Sequence, residues 1–150
     1  MNDFDFLTGH WNVTNRRLAK PLSGSTEWEE FPGVSVATRH FGGAASFDEI
    51  EFPTKGSSGL TVRVRDAESG LWSIYWASST SGVLDTRPMV GGFEGDRGEF
   101  FGEETCEGRP VRCRFVWTVS GGDAARWEQA FSEDDGRTWE TNWTMDLTRA

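Results

Sequence analysis

The segment "LTVRVRDAESGLWSIYWA", residues 60–77, shows the pattern that decides the fold of the whole chain. Its first half alternates apolar residues such as Val62 with polar ones, and its second half carries Trp72 and Trp76 on one face. The turn between the halves contains Gly70. Alternation with period two over short runs, interrupted by glycine, is typical of half-buried antiparallel strands joined by tight turns. The segment therefore predicts a β-hairpin.

The same alternation extends in both directions along the chain. Comparable runs lie at 10–19, 25–31, 34–41, 47–52, 98–105, 111–119, 126–132 and 138–148, with an irregular one within 83–93. Consecutive strands joined by short loops favour an up-and-down meander, and closure into a barrel removes the exposed edges. We therefore predict one all-β domain over residues 1–150, a single antiparallel β-barrel of about ten strands. A jelly roll or a Greek-key sandwich is the alternative.

The charge of the chain argues against two classes of partner. Its 150 residues carry a net charge of -9, from 24 acidic and 15 basic residues, and the basic ones are scattered. A negative field repels a phosphate backbone and an anionic membrane surface. The N-terminus begins with acidic residues rather than a basic region and an apolar run, and no stretch reaches the length of a membrane span. We expect a cytoplasmic protein with no nucleic-acid or membrane partner.

The two cysteines lie in the segment "CEGRPVRC", which reads as a hairpin turning at Glu107 and Gly108. A two-residue turn places Cys106 and Cys113 several residue rows apart, too far for a disulfide. No cysteine pair has the spacing of zinc ligands, and the chain has only two histidines. We expect two free thiols and no structural metal.

The two ends of the chain carry a family signature. The stretch "FLTGHWNV", residues 6–13, places Gly9 two residues before Trp11, and the chain ends "MDLTRA" with Arg149. This pattern resembles the Gly-x-Trp signature of lipocalins and the wider calycin superfamily. The resemblance implies that Trp11 closes the floor of a barrel and that Arg149 packs across it. The whole chain also resembles a group of uncharacterised bacterial proteins with a calycin-like barrel, which implies a fold and an internal cavity but no activity.

One related calycin group binds haem through a histidine near its C-terminal strands. This chain has no histidine after His40. We therefore expect no haem and no other cofactor.

The stretch "SEDDGRTWE", residues 132–140, resembles the Asp-box hairpin of sialidases through Asp134, Gly136 and Trp139. A sialidase propeller needs several blades of four strands, and this chain is too short for that number. It also lacks a second Asp box. We interpret the stretch as the connector of the last two strands, with Trp139 packed beneath the turn.

Eight tryptophans exceed what a minimal barrel core and floor need. We interpret part of the excess as the lining of a cavity for a flat apolar or aromatic ligand. The expected ligand-binding residues are Trp28, Trp76, Trp127, Trp143, Arg17 and Gln129. Binding of a small hydrophobic or aromatic molecule is the preferred function. The sequence does not fix which strand face points inward, because one bulge inverts the parity.

Two other functions remain open at this point. The first is an enzyme that isomerises, cyclises or hydrolyses such a ligand at the barrel mouth, with Glu49 and His40 as acid–base candidates and Tyr75 as a third. The acidic strand faces also read as solvated surfaces that pair with arginines. The second is a structural module, in which exposed tryptophans form a homodimer interface.

Overall fold

A computed structural model describes residues 3–150 and shows a closed barrel of ten antiparallel strands. Each strand pairs with the next one along the chain, and the last strand pairs with the first. This confirms the predicted up-and-down barrel. The strands are β1 (Gly9–Leu18), β2 (Trp28–His40), β3 (Ala45–Phe52), β4 (Ser57–Arg65), β5 (Trp72–Ser78), β6 (Met89–Glu94), β7 (Arg97–Cys106), β8 (Arg109–Val119), β9 (Ala124–Ser132) and β10 (Glu140–Arg149).

Strand β2 contains two runs that the sequence suggested as separate. It passes without a break through Pro32 and Gly33. Pro32 lies in the part of β2 that pairs with β1 alone, since pairing with β3 begins at Val34. A proline without an N–H group is tolerated where a strand lacks a second partner. Gly33 faces inward, where a Cβ atom would lie 3.0 Å from the amide nitrogen of Asn15.

Aromatic side chains fill the end of the barrel that we call the floor. A short 3₁₀ helix, Asp5–Leu7, precedes β1. The Phe4 ring packs edge-on against Trp72 at 4.8 Å and against Phe93 at 5.0 Å. Edge-to-face aromatic pairs of this kind add to the stabilisation from buried area. A second 3₁₀ helix, Phe41–Gly43, joins β2 to β3.

Arg149 and Trp11 form the contact that the calycin resemblance implies. The guanidinium carbon of Arg149 lies 3.9 Å from the centre of the Trp11 ring. Arg149 also donates hydrogen bonds to the carbonyl oxygens of Thr8 at 2.6 Å and Phe6 at 2.7 Å. The Trp11 indole N–H donates to the Leu7 carbonyl at 2.8 Å. The last strand is thus tied to the segment that leads into the first.

The cysteine hairpin has the predicted register. Cys106 pairs with Arg109, and Cys113 pairs with Gly102 on the neighbouring strand. Both thiols are free and buried. Burial raises the pKa of the Cys113 thiol far above its usual range, so this thiol stays protonated and unreactive.

The segment 132–140 joins β9 to β10, as predicted. The Asp134 carboxylate accepts hydrogen bonds from the Thr138 N–H at 2.9 Å and from the Ser132 hydroxyl at 2.7 Å. The Gly136 N–H donates to the Ser132 hydroxyl at 2.8 Å, and Gly136 has a φ of 89°, which favours glycine. The Trp139 ring packs beside the turn against Phe101 and Arg114, and a Cβ atom on Gly136 would lie 3.6 Å from it. The loop is therefore closed by its own side chains.

Candidate functional site

A cavity of about 290 Å³ lies inside the barrel. Its size is close to the lower end of the ~300–1,000 Å³ typical of ligand pockets. The side chains that line it come from all ten strands, from the 3₁₀ helix before β1 and from the loop between β5 and β6. The lining divides into two parts of different chemistry, which lie on strands about half a turn of the barrel apart.

The first part is an aromatic wall on β8, β9 and β10, formed by Phe115, Trp117, Trp127 and Trp143. The Trp127 ring lies 5.1 Å from that of Phe115 and 5.5 Å from that of Trp143, both in edge-to-face geometry. Trp127 and Trp117 are buried, whereas Phe115 and Trp143 are half-buried. The wall offers large, rigid apolar surfaces to a ligand.

A chain of hydrogen bonds fixes the orientation of Trp143. Its indole N–H donates to the side-chain oxygen of Asn15 at 3.1 Å. Asn15 is fully buried and donates in turn to the Phe31 carbonyl at 3.2 Å. A register shift between Thr141 and Trp143 marks a bulge in β10 at this point. Bulges re-aim side chains near functional sites, and this one lies beside Trp143.

Trp76 on β5 adds a further aromatic surface to the cavity. Its ring lies across Gly59 on the neighbouring strand, where a Cβ atom would approach the ring to 1.9 Å. Only glycine leaves room for the indole in this position. Gly59 therefore fixes where Trp76 lies in the cavity.

The second part of the lining is a polar wall on β2, β3 and β4, formed by Ser35, Asp48, Thr61 and Arg63. All four residues are buried. Buried charges are rare unless they are paired. The polar wall therefore depends on how Asp48 and Arg63 are satisfied.

Asp48 and Arg63 form an ion pair through Oδ2 and Nη2. The side chains are 8% and 4% exposed, so solvent hardly screens the pair. Nη1 of Arg63 donates to the Ser46 hydroxyl at 3.2 Å. The guanidinium carbon also lies 5.1 Å from the centre of the Phe4 ring and 5.9 Å from that of Trp117. Arg63 thus stands between the floor and the aromatic wall.

The outer surface of β2–β4 is apolar where its inner surface is polar. Residues on the outer face are the ones that alternate with the polar wall, among them Val34, Val36, Phe47, Leu60, Val62 and Val64. Four of them, Val34, Val36, Leu60 and Val64, are 37–43% exposed. The usual arrangement of an antiparallel sheet, apolar inside and polar outside, is reversed on β2 and β4 beside the polar wall, whereas β3 keeps Ile50 and Phe52 inside and Glu49 and Glu51 outside.

The mouth of the cavity lies between the β5–β6 loop and β7. The exposed or partly exposed lining residues there are Asp85, Arg87, Glu103 and Glu104. Arg87 lies 3.3 Å from Asp85 and 3.8 Å from Glu104, so it bridges the loop and the strand. Burial alone would raise the pKa of Asp85, but hydrogen bonds from the backbone and side chain of Arg87 outweigh it and lower that pKa.

Four of the residues expected to bind ligand line the cavity, and a fifth lies next to it. Trp76, Trp127, Trp143 and Gln129 are part of the lining. The Gln129 amide donates to the side-chain oxygen of Asn142 at 2.9 Å. Arg17 lies outside the lining, with its guanidinium carbon 5.0 Å from the centre of the Trp143 ring.

The structure places the other named residues on the outer wall. Trp28 is 38% exposed and packs under Arg16, whose guanidinium carbon lies 5.3 Å from the ring centre. Glu49 is exposed. His40 is also exposed and shares a 2.7 Å hydrogen bond with the Thr38 hydroxyl. Because these residues are on the outside, Glu49 and His40 do not converge in the cavity.

Sequence reasoning passed over Asp48 and Arg63, which it assigned to solvated strand faces. The pairing of β3 acids with β4 arginines was expected, and the structure shows this pair inside the barrel. A usable signal was present in "FDEIEF", residues 47–52. Ile50 and Phe52 share the face of Asp48, and all three are buried. The face of Asp48 carries two apolar residues in this segment and the face of Glu49 carries one, Phe47, so choosing the more apolar face would have pointed Asp48 inward.

These features define a class: a closed ten-stranded antiparallel barrel with an internal cavity that is aromatic on one side and polar on the other. Comparison of the sequence with family models and with curated proteins found no match. Among residues 3–150, no helix is long and apolar enough to cross a membrane. The same residues contain no group of three or more histidine, cysteine or acidic side chains arranged to hold a metal ion.

Proposed function

We propose that this protein binds a small hydrophobic or aromatic molecule inside the barrel and acts as a carrier or sensor of it. The observation that carries the proposal is the cavity of about 290 Å³ faced by Trp76 and the aromatic wall. Concave, mostly apolar pockets with a few placed polar groups are the usual form of small-molecule sites.

The cavity volume sets the size of the ligand. An apolar cavity of about 150 Å³ stays dry and can hold benzene. A cavity of about 290 Å³ is roughly twice that size. It therefore suits a molecule of about two fused rings, whose flat faces and edges match the edge-to-face rings of the aromatic wall.

The proposal includes a calycin-like barrel in the cytoplasm. The contact between Trp11 and Arg149 supports the calycin-like assignment, since it is the contact that the resemblance implies. The two free, buried cysteines support the location, since reduced thiols are the normal state in the cytoplasm.

Binding is better supported than acid–base catalysis. The acid–base candidates Glu49 and His40 lie on the outer wall. The buried carboxylate of the lining, Asp48, is held in an ion pair with Arg63, and Asp85 and Glu104 at the mouth pair with Arg87. General acid–base catalysis needs an acid and a base that both come within hydrogen-bond reach of the ligand in one pocket.

Titration calorimetry with 2-methylnaphthalene, a two-ring probe, tests the proposal. We expect saturable binding at one site per chain. The variant Ile74→Trp places an indole in the cavity lining and should abolish binding. The matched variant Tyr75→Trp places the same side chain on the outer face of the same strand and should leave binding unchanged. Near-ultraviolet circular dichroism checks that both variants fold. Failure of 2-methylnaphthalene and of a library of two-ring aromatics to bind would contradict the proposal.

The reversed polarity of β2 and β4 favours a second candidate, a homodimer. The apolar side chains on the outside of these strands, including Val36 and Leu60, are a surface that a second copy of the chain could cover. Light scattering over a range of concentrations should then show a dimer, and Leu60→Glu should shift it to monomer. A monomer at every concentration would remove this candidate.

A further inference from the structure

We propose that the ligand carries a neutral hydroxyl group, as in a phenol, and that the Asp48–Arg63 pair binds it. This inference rests on the proposed binding function and adds the chemical class of the ligand. The pair lies in the wall of the cavity, opposite the surfaces suited to aromatic rings. A two-ring ligand lying against the aromatic wall would turn its substituents towards the polar wall.

Arg63 retains hydrogen-bonding capacity inside the barrel. A guanidinium group has five N–H donors. The bonds to Asp48 and Ser46 use two of them. The Nε atom is buried and has no partner among residues 3–150. The bonds to Asp48 and Ser46 leave one N–H of each Nη atom without a bond to the protein, and Arg63 is part of the cavity lining, so an acceptor supplied by a ligand can use these donors.

Asp48 supplies the complementary acceptor. Its ion pair with Arg63 uses Oδ2, and no donor within residues 3–150 contacts Oδ1. The hydroxyls of Thr61 and Ser35 lie on the same wall, with Thr61 directly across from Asp48 in the β3–β4 pairing. The polar wall therefore presents a donor and an acceptor side by side. A hydroxyl group satisfies both, because it accepts one hydrogen bond and donates another.

The net charge of the pair discriminates against charged groups. Asp48 and Arg63 neutralise each other, so the wall offers no uncompensated charge to attract an ion. A ligand carboxylate would meet the Asp48 carboxylate, and an ammonium group would meet the Arg63 guanidinium. Each would also lose its hydration in a site that shields charges poorly from one another. A plain hydrocarbon would enter but would leave the donors and the acceptor unmatched.

Three probes with the same ring system test this selectivity by calorimetry at neutral pH: 2-naphthol, 2-methylnaphthalene and 2-naphthoate. The first two differ by a hydroxyl in place of a methyl group of similar size. We expect 2-naphthol to bind roughly tenfold or more tightly than 2-methylnaphthalene, as hydrogen bonds to charged groups allow. We expect 2-naphthoate to bind most weakly.

Two variants separate the role of the pair from general damage. Thr61→Val keeps the ion pair and should retain most of the preference for 2-naphthol. Asp48→Asn removes the negative charge and leaves Arg63 uncompensated, so the preference should shift towards 2-naphthoate. If Asp48→Asn does not fold, the uncharged double variant Asp48→Asn/Arg63→Met should bind 2-naphthol and 2-methylnaphthalene within about threefold of each other.

The outcomes distinguish this inference from the function on which it rests. If 2-methylnaphthalene and 2-naphthol bind equally well to the unaltered protein, the cavity binds aromatics but the pair does not select a hydroxyl. If 2-naphthoate binds most tightly, the site prefers an anionic group to a hydroxyl, and the inference is overturned. If none of the probes binds, the proposed function itself fails.

Discussion

The aromatic wall on β8–β10 and the polar wall on β2–β4 face the same cavity, but they are built on opposite patterns. In the aromatic wall the large apolar side chains point inward, as in most antiparallel sheets. In the polar wall the inward residues are charged or hydroxylated, while valine and leucine point outward. The first wall holds the barrel together by burying apolar area. The second gives up some of that stabilisation, and such departures from local rules are expected at functional sites.

The largest effect should come from breaking the aromatic wall. Trp127 is buried between Phe115 and Trp143, so Trp127→Ala leaves a large cavity. We expect the free energy of unfolding to fall by about 3–5 kcal/mol. Trp28→Ala is the matched control on the outer surface, and its loss should stay near 1 kcal/mol, the size of an exposed cation–π contact. Urea unfolding measures both. Equal losses would mean that Trp127 does not anchor the core.

Breaking the polar wall should cost somewhat less. Asp48→Asn leaves the Arg63 guanidinium buried without its counter-charge. We expect a loss of about 3 kcal/mol, the lower end of the range for broken buried pairs, because the amide oxygen can still accept a hydrogen bond. Removing both charges in Asp48→Asn/Arg63→Met should restore most of the loss. If the double variant is no more stable than the single one, the pair contributes through something other than its charges. Urea unfolding at neutral pH decides this.

A smaller effect, dependent on pH, should come from the hairpin that joins two strands of the aromatic wall. Hydrogen bonds from the Thr138 side chain and backbone and from Ser132 lower the pKa of Asp134 far below its usual range. A carboxyl whose pKa is lowered by folding stabilises the protein above its unfolded value of about 3.9, and this contribution is lost as the pH falls through the folded value. Asp134→Ala should therefore lower the Tm by a few degrees at pH 7 and by less at pH 2. A Tm difference that does not shrink in acid would contradict the assignment.

The smallest effect should come from the outer face of the polar wall. Val36→Thr replaces a methyl group with a hydroxyl of similar size on an exposed surface, so we expect the free energy of unfolding to change by no more than about 0.5 kcal/mol. The inward-facing Ile50→Thr, on the neighbouring strand, buries an extra hydroxyl and should cost about 1–3 kcal/mol. Thermal unfolding compares the two variants. If Val36→Thr greatly lowers the stability of a monomeric protein, the Val36 side chain is not exposed to solvent as the structure has it.

The two walls also differ in how well the sequence predicts them. Strands β8–β10 have tryptophan and phenylalanine at alternate positions, and these positions face inward. The strand count and the separate cysteines follow from local patterns in the same way, whereas the floor contact between Trp11 and Arg149 is implied by the calycin resemblance. The period of the pattern and the place of turns are local properties, so they can be predicted from short segments.

Strands β2–β4 show where this reasoning stops. Their most regular apolar alternation, Val34 with Val36 and Val62 with Val64, lies on the outside. The inward direction is set by closure of the whole barrel, which also places Asp48 and Arg63 next to each other. A one-residue shift in parity exchanges the two faces of a strand, and no short segment carries that information. For this reason the sequence suggests Glu49 as the site residue, whereas in the structure Asp48 faces the cavity and Glu49 faces outward.

The pairing of β1 with β10 has a consequence for folding. Trp11 is opposite Arg149 in this pairing, so closing the barrel joins positions that are 138 residues apart in sequence. Contacts of such long sequence separation slow folding, since a large loop must be closed before they form. While residues 140–149 are still inside the ribosome, the first nine strands cannot close into a barrel. Their sheet has two open edges, which proteases and neighbouring chains can reach. Nascent chains stalled before β10 should be degraded faster by an added protease than chains stalled after it has emerged. Equal rates would show that the first nine strands are already protected.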